Sequence, residues 1–153
     1  MKKMIVVAVL LVNVLGANLF AADDEITREA KEAFKKEFPT AEGAKWEELK
    51  AHGLYMVKFI YEDRGHVAYV DPEGTVVASA RMVNAATLPF TISQAIRKTY
   101  SYTEILKVEE LTMGNSLSYF FTIEHEGSRI ELRVYPDGSI HKFSKKKGSK
   151  KGF

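Results

Sequence analysis

The chain of 153 residues contains no cysteine. That single absence removes disulfides, thiolate metal sites, thiolate nucleophiles and redox switching together. A small exported domain often leans on disulfides, so this one must be held by its core. About 130 residues after a leader suffice for that. Proline is scarce, with four in all. Each of them, Pro39, Pro72, Pro89 and Pro136, falls where an element would start, stop or turn. Long apolar runs are missing except near the start. No sign of charge dominates either, with 22 basic against 20 acidic residues.

Motifs of catalysis are absent as well. Gly114-Asn115-Ser116-Leu117-Ser118 lacks the closing glycine of a nucleophile elbow, and its flanks read as a hairpin. There is no Gly-rich phosphate loop. His52, His66, His125 and His141 are dispersed, without a His-x-His pair or a His-Glu-x-x-His run. Glu124-His125-Glu126 is the nearest approach to a ligand cluster, but neighbours on a strand point to opposite faces. The same alternation keeps Glu47-Glu48 and Glu109-Glu110 from converging as paired carboxylates. We therefore expect no enzyme, no metal and no cofactor.

What is present begins with an address. Lys2 and Lys3 precede an apolar stretch from Met4 to Leu15, followed by small residues at Ala17, Ala21 and Ala22. This is the pattern of a secretory signal peptide over residues 1–21, cut after Ala21 or Ala22. An uncleaved anchor competes with it, but the apolar core is shorter than the roughly 20 residues a spanning helix needs. Without cysteine there is no lipid attachment. The expected location is periplasmic or secreted, with no transmembrane segment in the mature chain.

Loss of Lys2 and Lys3 leaves 20 basic against 20 acidic residues. Five of the basic ones, Lys145, Lys146, Lys147, Lys150 and Lys151, crowd into the end of the chain. We expect residues 145–153 to form a basic disordered tail on an acidic body. Such a tail is either a solubilising end or a weak contact with an anionic envelope surface. An acidic body argues against nucleic acid.

The body repeats itself. Lys45-Trp46-Glu47-Glu48-Leu49 returns as Lys107-Val108-Glu109-Glu110-Leu111, 62 residues on. Aromatic strands follow, Tyr55-Met56-Val57-Lys58-Phe59 and Tyr119-Phe120-Phe121-Thr122-Ile123. Each half ends at a Pro-acid-Gly turn, Pro72-Glu73-Gly74 and Pro136-Asp137-Gly138, which suits a hairpin reversal. Ile26, Ala30, Ala33, Phe34 and Phe38 keep helical spacing, as do Ile92, Ile96 and Tyr100. Each half reads α-β-β-β-β, and short connections make the sheet antiparallel. The domain is expected over 22–144, with repeat one at 24–83 and repeat two at 88–144.

A helix ending Phe38-Pro39, then Trp46, then Tyr55-x-Val57-x-Phe59, then Asp71-Pro72-Glu73-Gly74 resembles the PepSY-like family of secreted domains, also called β-lactamase-inhibitor-protein-like. The resemblance spans residues 26–143. It implies an α+β fold in which two tandem repeats form one curved antiparallel sheet with both helices on one face. It also implies a non-enzymatic binding or inhibitory module. Two departures stand out: the absence of disulfides, and Val108 where repeat one has Trp46.

Positions apolar in both copies should face the helices: Tyr55/Tyr119, Val57/Phe121, Phe59/Ile123, Ala68/Leu132, Val70/Val134 and Val76/Ile140. The other parity gives one open face, with Met56, Lys58, Ile60, Val67, Tyr69, Val77, Ser79 and Arg81 in repeat one and Phe120, Thr122, Glu124, Arg129, Glu131, Arg133, His141 and Phe143 in repeat two. From that face we take Tyr69, Phe120, Arg129, Arg133, His141 and Phe143 as candidate anchors for a protein or peptide partner, solvent-facing in the free chain. Two alternatives stand beside this: a cradle for a small apolar or anionic ligand or an envelope polymer, and a solvated sheet paved by long side chains. Export makes a direct prediction. Mass spectrometry of the periplasmic or medium fraction should find the chain beginning at Ala22 or Asp23, and full-length protein in washed membranes would refute it.

Overall fold

The structure, a computed structural model, describes residues 25–147. The expected signal peptide (1–21) and residues 148–153 lie outside them. The described chain runs α1 (Arg28–Glu37), β1 (Glu42–Leu49), β2 (Leu54–Tyr61), β3 (Arg64–Val70), β4 (Val76–Met82), α2 (Phe90–Thr99), β5 (Glu104–Met113), β6 (Ser116–His125), β7 (Ser128–Val134) and β8 (Ile140–Lys147). The eight strands are ordered in the sheet as they are in the chain. This is the expected α+β class with an antiparallel sheet. By compactness the chain divides into unit one, up to Arg81 with Thr112–Asn115, and unit two, Met82–Leu111 with the chain from Ser116. No described helix is long and apolar enough to cross a membrane.

In unit one, Thr27 caps α1, its hydroxyl accepting from the Ala30 N–H at 3.3 Å. The helix stops at Phe38, one residue before the expected breaker Pro39. Ile26, Ala30 and Phe34 pack on Trp46, Tyr55, Val57, Phe59, Ala68 and Val70. Trp46 meets Phe34 edge-on at 5.3 Å, and Phe38 meets Phe59 at 4.7 Å. The core of unit one is therefore aromatic, with pairs near the edge-to-face geometry that the ring quadrupole favours.

Unit two repeats the plan with thinner side chains. Pro89 immediately precedes α2, and Ile92 and Ile96 pack on Val108, Tyr119, Phe121, Ile123, Leu132 and Val134. Every expected helix-facing pair sits in these two cores, with Val76 and Ile140 half-buried at their margins.

The other face departs from simple alternation. Tyr69 pairs with Ala78 but Val70 with Val76, so Val77 is an extra residue in β4. A one-residue bulge reverses the parity of everything beyond it. Ser79 and Arg81 thus lie opposite Ala68 and His66 on the helix side, while Ala78 and Ala80 take the second face. Part of the second face of unit one is also closed: Leu54, Met56, Tyr69, Ala78 and Ala80 are all buried, whereas Ile60 farther along β2 is 48% exposed. Leu54-Tyr55-Met56-Val57 is apolar on both parities, the mark of a strand segment buried on both sides.

A second correction concerns the tail. β8 continues through Lys147, with Lys145 opposite Ile130 and Lys146 opposite Arg129. Three lysines expected in a disordered tail are ladder residues. Backbone pairing to β7 outweighs their composition, and lysine is well suited to the last strand of a sheet.

The two Pro-acid-Gly turns are built alike and held differently. Gly74 has φ +90 and Gly138 has φ +85. A Cβ on Gly74 would lie 2.9 Å from the backbone oxygen of Glu29, whereas one on Gly138 would meet nothing nearer than the Thr91 methyl at 3.4 Å. The first turn is drawn against α1, and the Thr27 hydroxyl donates to the Pro72 carbonyl at 2.9 Å. In the second, Asp137 accepts from the side chain and backbone N–H of Ser139, which hold its carboxyl below the usual carboxylate range. Both Gly→Ala changes carry the strain of a positive φ, about 1–2 kcal/mol. Gly74→Ala should cost at least about 1 kcal/mol more than Gly138→Ala because α1 must also shift. Equal losses in urea denaturation would show that the turn yields freely.

Candidate binding site on the second sheet face

In unit two the second face is polar and partly open, and a bulge organises it. Glu131 pairs with Ser144 and Leu132 with Lys142, leaving Phe143 as the extra residue of β8. The bulge brings Phe143 to the same side as Ser144 and His141. Phe143 stacks on Phe120 with centroids 5.6 Å apart and planes 16° from parallel. His141 meets Phe143 edge-on at 4.8 Å. Arg133, opposite both Phe120 and His141, donates from Nε to the Ser118 hydroxyl at 3.1 Å. Its guanidinium lies 5.4 Å from the Phe120 ring centre and 4.8 Å from that of Tyr135.

Four of the sequence-expected anchors, Phe120, Arg133, His141 and Phe143, therefore converge. Arg129 stands farther along β7, exposed, between Glu124 on β6 and Lys146 on β8. Tyr69 belongs to unit one and is 0% exposed, so its expected solvent-facing role is overturned. Phe120, at 5% exposure, is corrected likewise: it is the floor under Phe143, which is 36% exposed. Arg133 is half-buried and internally bound, a support as much as a contact.

Sequence reasoning missed three members of this group. Ser118 holds the Arg133 side chain, Tyr135 flanks its guanidinium, and Lys146 stands directly opposite Arg129. Lys146 was hidden by the lysine-rich composition of the terminus. Spacing does not find it either, since alternation from His141 and Phe143 leads to Lys145, and only the bulge at Phe143 moves Ser144 and Lys146 onto this face. The outer part of the face thus carries Arg129, Arg133, His141 and Lys146 against Glu124 and Glu131, and the Glu131 carboxylate already accepts from Ser144 at 2.6 Å.

Elsewhere the candidates for chemistry resolve into structure. Glu109 bridges Lys107 at 2.7 Å and Glu48 lies 3.5 Å from Lys50. His125 Nε2 is 3.8 Å from Glu126, and its ring meets Tyr100 edge-on at 5.4 Å. Among the described residues no group of three or more His, Asp or Glu is placed to hold a metal. The face itself offers aromatic area, cations and an imidazole, a set suited to recognising carboxylates beside apolar groups. Stability should separate its members. Tyr69→Ala should cost about 3–5 kcal/mol as a large-to-small core change. Phe143→Ala should cost only about 1 kcal/mol, chiefly its stacking on Phe120. Chemical denaturation of the two variants would expose a wrong assignment if the losses matched.

No protein-family model matches the chain, nor does any curated protein. Solved structures do. A BLIP-like protein from Bacteroides fragilis superposes with a TM-score of 0.71 at 20% identity, over 86% of this chain and 97% of that one. A candidate periplasmic protein from Bacteroides eggerthii gives 0.70 at 15% identity, over 79% and 88%. A DUF2874 family protein from Bacteroides uniformis gives 0.68 at 17% identity, over 74% and 84%. What the likenesses establish is the architecture: this chain has the α+β, BLIP-like fold.

Proposed function

We propose that the protein is an exported, non-enzymatic binding module of the PepSY-like kind. It takes an acidic segment of a protein or peptide on the second face of unit two, across β6, β7 and β8, and inhibition of an exported partner would follow from that occupancy. One observation carries the proposal: Arg129 and Lys146 stand directly opposite each other in the ladder. Like charges in that position destabilise a sheet. Glu124, opposite Arg129 on β6, offsets one of the two cations and leaves Lys146 at the outer strand in excess; with Arg133 and the exposed ring of Phe143 beside it, this row is suited to an anionic partner. Phe143 supplies apolar area at low entropy cost, and the arginines add planar donors matched to carboxylates.

The test uses the mature chain as bait in an extract of its own cell envelope. Lys146→Glu turns the repulsion with Arg129 into an attraction, so its melting temperature should hold or rise. Retention of the captured partner should fall at least tenfold, about 1.4 kcal/mol. Phe143→Ala should weaken retention comparably, and raised salt should weaken it further. Unchanged retention in both variants would refute the face as the binding surface.

A further inference from the structure

The two repeats differ most where their helices end. Phe38 and Tyr100 occupy equivalent positions, 62 residues apart, with matching backbones (φ −125, ψ 69 and φ −128, ψ 72) and the same 2.8 Å bond from their N–H to the carbonyl four residues back. On that alignment Phe34 corresponds to Ile96 and Trp46 to Val108, while Phe59 corresponds to Ile123 at the later spacing of 64. Three aromatic side chains of unit one are thus aliphatic in unit two. Unit one closes this region with ring-on-ring contacts of 4.7 to 5.5 Å among Phe34, Phe38, Trp46 and Phe59. In unit two a groove of about 470 Å³ opens beside Ile96 and Tyr100 at the end of α2, although Phe121 stands where unit one has Val57.

The groove has a buried apolar floor of Ile96 and Phe121, and walls from Leu88, Ile105 and Tyr100. Its size falls in the range of small-molecule sites, about 300–1,000 Å³. Among its lining residues Arg97 carries the only formal charge. Arg97 and Lys98 sit in the last turn of α2, where they offset the negative end of the helix.

Tyr102, at the lip, adds an independent sign. It has φ +55, a left-handed conformation that costs a bulky side chain about 1–2 kcal/mol, and its ring is fully exposed. Its counterpart in unit one, Thr40, shows no positive φ. An aromatic ring held in water by a strained backbone at the edge of an apolar groove contributes nothing to the core. Among the described residues the other non-glycine positions with a positive φ, Glu62, Asp63 and Glu126, are polar and sit at hairpin turns, so Tyr102 is the one bulky exception.

We infer that this groove is a binding site for a small amphipathic anion. An aromatic or apolar body would rest on Ile96 and Phe121 beneath Tyr102, and a carboxylate or similar group would meet Arg97. The site is separate from the Phe143 face and does not depend on it.

The test titrates the mature chain with 1-naphthylacetate and, separately, its uncharged methyl ester, by calorimetry and by amide shifts in nitrogen-labelled protein. The acid should bind about tenfold more tightly than the ester, with shifts centred on residues 96–105. Arg97→Gln should weaken the acid about tenfold, as expected for a lost charge-assisted bond, and leave the ester unchanged. Tyr102→Gly should weaken both while raising thermal stability, since glycine accepts the positive φ. Binding of neither probe at millimolar concentration would overturn the proposal, as would shifts centred on Phe143 and His141. Equal affinity for acid and ester would overturn the anion assignment, and a loss of stability in Tyr102→Gly would make that ring a packing residue.

Discussion

Everything in this fold depends on how strand side chains are divided between two faces, one of which is claimed by a helix. In each unit the stripe on the helix excludes water only if five or six strand positions of one parity are apolar, and they are. That requirement sets the register and commits the opposite parity to whatever remains. Where the remainder is apolar, as at Leu54, Met56 and Tyr69, the second face closes. Where it is charged and aromatic, as from Phe120 to Lys146, it stays partly open.

Bulges then decide which residues the second face receives. The extra residue at Val77 turns Arg81 toward the helix side and supplies alanine in its place. The extra residue at Phe143 does the reverse, adding an aromatic ring to a row that would otherwise hold only His141 and Ser144. One insertion makes a surface blander and the other makes it sticky, although both leave the cores untouched.

The helix-facing set was legible in the chain because the same positions are apolar in both copies, and chance seldom repeats a pattern at fixed spacing. Phe120, Arg133, His141 and Phe143 could be placed on the second face because they take the opposite parity to that set. Tyr69 was misjudged because parity says which face a residue takes and nothing of whether that face is covered. Val76-Val77-Ala78 gives no clue to the bulge, since all three are apolar and any register satisfies the pattern. Lys145 to Lys147 were misjudged because composition reports on side chains, whereas a strand at the end of a sheet is held by its backbone. The groove could not be read from either repeat alone. Its floor residue Ile96 stands where repeat one has Phe34, a difference visible only when the two copies are aligned.

The strand order has a consequence for how the molecule comes into being. Because the sheet follows the chain, neighbouring strands are close in sequence, and most join through short turns. Loops that short close at little entropic cost, and low contact order goes with rapid folding. Nor must the chain wait for an oxidant, having no thiols to join. A polypeptide arriving N-terminus first can therefore complete each hairpin as soon as its second strand appears, and little apolar surface is left waiting for distant partners.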